Sequence, residues 1–122
     1  MNVLSLQLHN IHLALKIFFG GLVIIVVSIP LILNKIPPNP FFGIRLPGLN
    51  KNEENWYKVN RYGGIILLRW STPLLIFAIL LLFLPHIRYS ENFNLAIIIV
   101  FSLPLIIAFI QIILYWQRNT DN

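Results

Sequence analysis

Reactive side chains are scarce in this sequence, and their spacing narrows the chemistry open to it. There is no cysteine, which excludes disulfides, thiolate metal sites and cysteine nucleophiles. The carboxylates are Glu53, Glu54, Glu91 and Asp121, a poor set for acid–base catalysis. His9 and His12 lie three apart, and His86 is expected on the same side of a membrane. Three imidazoles can bind zinc, but isolated interfacial histidines are the commoner meaning of such a pattern, and neither metal nor cofactor is expected. No Ser-His-Asp set, Walker loop or GxGxxG motif occurs.

The polar residues that stand out are those inside apolar runs. Ser28, Arg69 and Gln111 each interrupt a helix-length apolar block. Counted from the block ends at 1.5 Å per residue, all three fall roughly 6–9 Å below one membrane boundary. An ionisable group at such depth is a functional candidate by default. One expectation is a small polar pocket roofed by Asn39, Arg45 and Trp56. The other is that Arg69 snorkels to headgroups while Ser28 and Gln111 bond backbone or a neighbouring helix. A hydroxyl also precedes a proline in each block, at Ser28-x-Pro30, Ser71-Thr72-Pro73 and Ser102-x-Pro104. Such a hydroxyl can help satisfy a carbonyl that proline leaves free, so kinks are expected there.

The elements that must position these residues follow from composition. Apolar residues make up 57% of the 122 and charged residues only 11%, the excess falling in three blocks. These are Ile17–Leu33, extendable to Leu13, then Gly63–Leu84 and Leu95–Tyr115. About 20 residues suffice to cross roughly 30 Å of hydrocarbon, and helix is the form that satisfies its own backbone there. The expected fold is all-α: a single domain, a three-helix transmembrane bundle with spans about 13–33, 63–84 and 95–116. The N-terminal run lacks a basic n-region and no A-x-A-like site follows the first block, so a retained helix is expected rather than a cleaved leader.

Net charge is +5. Lys16 and Arg88 fall at one end of the spans, and Lys35, Arg45, Lys51, Lys58, Arg61 and Arg118 at the other. That bias predicts a cytoplasmic loop 34–62, a cytoplasmic C-terminus and an external N-terminus. Tyr115 and Trp116 fall where an inner aromatic belt belongs. The partner implied is the lipid bilayer; direct nucleic-acid binding is not expected, since no basic-aromatic face lies outside the spans.

The loop 34–62 is longer than a tight connection needs. In its first half, Pro37, Pro38, Pro40 and Pro47 bar regular helix, and Gly43 and Gly48 supply turns. Its second half predicts a short amphipathic interfacial helix. Asn50 is expected to cap it, with Glu53 completing a capping box. Trp56, Val59, Asn60 and Gly63 share one face, Trp56 suits the membrane interface, and Gly63-Gly64 is expected to allow a bend into the second span.

The run Pro38-Asn39, Phe42-Gly43-Ile44-Arg45, Pro47, Asn52-Glu53-Glu54, Trp56, Asn60-Arg61 and Gly63-Gly64 resembles the signature of the SdpI/YfhL family, in its spacing and in the three spans around it. Leu46 stands where the family often has Thr. The resemblance implies a multi-pass protein of the bacterial cell membrane, linked to immunity against a secreted, membrane-active toxic peptide. It also implies that a member can hold a transcriptional repressor at the membrane. Longer members carry extra spans ahead of this unit, and this chain looks like the unit alone. The expected function is non-enzymatic immunity, with a toxic peptide as partner. The alternatives are a small transporter or permease subunit, or a membrane anchor for a cytoplasmic regulator. The oligomeric state is left open.

Overall fold

A chain in hydrocarbon must bond its own backbone, and the apolar blocks do so as three helices. The computed structural model describes residues 3–83 and 91–120. Helix α1 spans Val3–Ile32, α2 spans Glu53–Phe83 and α3 spans Glu91–Asn119. All three contain stretches long and apolar enough to cross a membrane. The end of the second span at Leu84, the cation Arg88 and His86 lie outside the described residues, as does the side chain of His9. The N-terminal run extends α1 from Val3.

Helix α2 is the centre. It packs against α1 on one side and α3 on another, while α1 and α3 do not approach each other among the described residues. The α1–α2 seam is built from small residues. Ala14, Gly21 and Ser28 recur every seventh position on α1, and Gly64, Ser71 and Ala78 do so on α2; all six are buried. The helices run antiparallel, so the series pair in reverse. A Cβ on Gly64 would lie 3.0 Å from the Ser28 carbonyl oxygen, and one on Gly21 would lie 3.8 Å from that of Ser71. Between membrane helices, where water gives no drive to associate, such close backbone approach supplies the dispersion contact that holds them.

The prolines sit inside the helices at Pro30, Pro73 and Pro104. Their neighbouring hydroxyls do not take the carbonyls that proline frees, those of Val26, Arg69 and Val100. Ser28 Oγ donates to Ile24 O at 2.6 Å, Ser71 Oγ to Leu67 O, Thr72 Oγ1 to Leu68 O at 2.8 Å and Ser102 Oγ to Ile99 O at 3.0 Å. They are back-bonded hydroxyls, which hide their own polarity in the helix.

Helix α1 ends in a Schellman motif. Asn34 takes the left-handed conformation (φ 53°), its N–H donates to Leu31 O at 3.2 Å, and the Lys35 N–H donates to Pro30 O at 2.9 Å. At the other side of the loop, α2 begins differently from the sequence expectation. Asn50 lies within a single 3-10 turn, Leu49–Lys51, and the capping residue is Asn52, whose Oδ1 accepts from the Asn55 N–H at 3.0 Å.

The expected interfacial helix is not separate from the second span: α2 runs unbroken through Gly63-Gly64 for 31 residues. At 1.5 Å per residue it is about 46 Å long, so roughly ten residues stand clear of the hydrocarbon. The two glycines serve approach rather than flexibility. A Cβ on Gly63 would overlap Ile44 Cδ1, and one on Gly64 would meet α1.

Candidate functional site

The loop is built from prolines and glycines that cannot make a ladder, so its polar groups need side-chain partners. Asn39 supplies the first set. Its Oδ1 accepts from the N–H groups of Phe41 (2.8 Å) and Phe42 (2.7 Å), and its Nδ2 donates to Pro37 O (2.7 Å) and Phe42 O (3.0 Å). Arg45 Nη1 donates to Pro40 O and closes the same turn.

Helix α2 supplies the second set. Asn60, 2% exposed, treats Ile44 as a strand partner would. Its Oδ1 accepts from Ile44 N–H at 2.6 Å and its Nδ2 donates to Ile44 O at 3.3 Å, with a further bond to Trp56 O at 3.0 Å. Trp56, fully buried, donates from Nε1 to Ile36 O at 2.9 Å. It is turned beneath the loop and covered by it, so its ring does not face outward. Gly43 lies between them at φ 113°, where a Cβ would come within 2.9 Å of both Asn60 Oδ1 and Trp56 Cζ2. Asn39 and Arg45 therefore brace the loop from within, and Trp56 and Asn60, with Gly43 fitted between them, pin it to α2. Below it, Leu49, Trp56, Val59, Ile66, Ala108 and Ile112 make a buried core shared by the loop, α2 and α3.

The polar residues of the spans are distributed differently. Ser28 is buried in the α1–α2 seam and bonds its own helix. Gln111 Oε1 accepts from Trp70 Nε1 at 3.1 Å and joins α3 to α2. Arg69 lies on an exposed face of α2, and no hydrogen bond links it to Ser28 or Gln111 among the described residues. Counting residues along a helix fixes depth but not direction, and adjacent positions differ by about 100°. So the neighbour, Trp70, makes the contact. Sequence reasoning also missed Asn52 and the small-residue seam; the seven-residue repeat was visible in both spans.

Tyr62 and Tyr115 stack at 3.9 Å between ring centroids, closing the α2–α3 contact near the loop. Beside them a hollow of about 350 Å³ is lined by Asn34, Tyr57, Lys58, Arg61, Tyr62, Ile65 and Tyr115. A second hollow, of about 410 Å³, lies along α3 and is lined by Ser102, Leu105, Ile106, Phe109 and Ile110. No group of three His, Asp or Glu side chains able to hold a metal occurs among the described residues.

No curated protein and no solved structure matches this chain. The sequence pattern of the SdpI/YfhL protein family matches residues 35–115, which take in the loop, α2 and most of α3. That is more than half of the 122 residues: this multi-pass membrane protein belongs to the SdpI/YfhL family.

Proposed function

We propose that the chain is a non-enzymatic immunity protein, which protects a bacterial cell membrane against a secreted, membrane-active toxic peptide. The observation that carries this reading is the family match across the loop and the two helices it joins. The arrangement of the signature supports it. Asn39, Gly43, Arg45, Trp56 and Asn60 are engaged in bracing the loop, which leaves the apolar surfaces of the spans as the part open to a ligand. The hollow along α3 offers an apolar helix a groove lined by Leu105, Ile106, Phe109 and Ile110. A toxic peptide held there would be kept from assembling and from collapsing the proton gradient. In this reading the loop and C-terminus face the cytoplasm, as the basic residues of that end favour.

The test is expression of the full chain in a sensitive bacterium, challenge with the peptides encoded beside its gene, and measurement of membrane potential. Maintained potential is the expected result. Unchanged depolarisation by every candidate peptide would count against immunity. A second reading, docking of a cytoplasmic regulator, is favoured by Phe41, which is 89% exposed at the tip of the loop. Co-purification of a neighbouring repressor with the wild type but not with Phe41→Ala would support it.

A further inference from the structure

The stripe that α2 leaves uncovered is not uniformly apolar. At 3.6 residues per turn, Lys58, Arg61, Ile65, Arg69, Thr72 and Ile76 fall within an arc about 80° wide. All six are exposed. The upper part of this stripe forms the wall of the hollow lined by Tyr57, Lys58, Arg61, Tyr62 and Ile65 of α2, by Asn34 just past α1 and by Tyr115 of α3. Lys58, Arg61 and the phenols thus lie above Ile65, and below it the stripe runs through Arg69 and Thr72 to the apolar Ile76. Arg69 is set eight residues beyond Arg61, about 12 Å deeper by helix rise.

From this geometry we propose that the hollow binds the headgroup of an anionic phospholipid, with the phosphodiester between Lys58 and Arg61 and an acyl chain along Ile65 and Ile76. Three features favour a lipid as occupant. The hollow lies at the level where α2 leaves the hydrocarbon, which is the depth of headgroups. Its tyrosines have the amphipathic character suited to that layer. The charge is complementary: Lys58 has one weak competitor, Glu54 at 3.9 Å, an exposed pair of little strength, and Arg61 and Arg69 have no carboxylate partner among the described residues. Arg69, with its long stem, can raise its guanidinium toward the ester layer of the same lipid.

The test compares the full chain with Lys58→Gln/Arg61→Gln and with Lys35→Gln/Lys51→Gln, which removes the same charge elsewhere on the loop. Each is reconstituted in bilayers of phosphatidylglycerol and phosphatidylcholine, and retained lipid is read by native mass spectrometry. The wild type and the Lys35/Lys51 variant are expected to retain phosphatidylglycerol, and the Lys58/Arg61 variant to lose retention by roughly tenfold or more, as expected for two charges at a membrane surface. Equal retention by all three, or equal retention of phosphatidylcholine, would overturn the proposal. So would displacement of the lipid by inorganic phosphate or by a short acidic peptide, which would assign the hollow to a soluble anion. If the double variant is not recovered folded, Arg61→Gln alone is expected to lower retention about fivefold, and no change there would overturn the assignment equally.

Discussion

The two seams of α2 are made in opposite ways. Against α1 it presents Gly64, Ser71 and Ala78, and backbones approach closely along the whole contact. Against α3 it presents bulk: Tyr62 stacked on Tyr115, Trp70 bonded to Gln111, and Phe77 at 5.1 Å from Phe101. The loop belongs to the second seam, because Ile36, Ile44, Leu46 and Leu49 pack into the core that contains Ala108 and Ile112. The first seam is a continuous van der Waals contact that needs no loop. The second depends on side chains at the loop end, so disturbing the loop loosens α3 and spares α1.

Substitutions separate the two. The largest effect is expected at Gly64→Leu, which forces a Cβ toward the Ser28 carbonyl oxygen at 3.0 Å and Leu31 Cβ at 3.1 Å. Loss of about 3 kcal/mol is expected from overpacking a backbone contact, measured as denaturant unfolding in detergent. Gly20→Ala, with nothing within 4 Å, should be neutral or slightly stabilising.

Next comes Asn60→Ala. It strands the half-buried N–H and C=O of Ile44, at an expected cost of about 1 kcal/mol. The same variant should speed proteolysis of the loop and weaken a cysteine cross-link placed between α2 and α3, while a cross-link between α1 and α2 forms as before. Equal weakening of both would break the distinction between the seams.

Asn52→Ala should cost about 1 kcal/mol through loss of the cap, whereas Asn50→Ala should change thermal stability little. The smallest effect is expected at Gln111→Leu, a change close to neutral in volume. It removes the acceptor of the Trp70 Nε1 bond, and interhelical hydrogen bonds in membranes average about 0.6 kcal/mol. A cost several times larger would mean that the second seam rests on this bond rather than on packing.

Much of this fold is legible from the residues. Three long apolar blocks dictate spanning helices, and Pro37, Pro38, Pro40 and Pro47 dictate a stiff loop. The loop's partners are less legible, since the acceptors for Trp56 and Asn60 are backbone atoms of Ile36 and Ile44, and backbone carries no sequence signal. Gly63-Gly64 reads locally as a hinge because glycine weakens helix. In the folded chain each glycine admits a neighbour, and packing overrides the propensity. Asn50 and Asn52 are both sound caps by type, and only the 3-10 turn that takes up Asn50 decides between them. For Arg69, the sequence gives its depth; its direction is set by which face of α2 the two other helices leave open.

Two signature residues, Trp56 and Asn60, pin the loop onto α2. The most direct test is hydrogen exchange at the Ile44 amide, whose N–H donates to Asn60 Oδ1 at 2.6 Å although it lies in a loop. In the wild-type protein that amide is predicted to be protected well beyond its loop neighbours. In Asn60→Ala it should exchange at loop rates while amides of the α1–α2 seam keep their protection. An Ile44 amide that exchanges as fast in the wild type as in Asn60→Ala would contradict the claim.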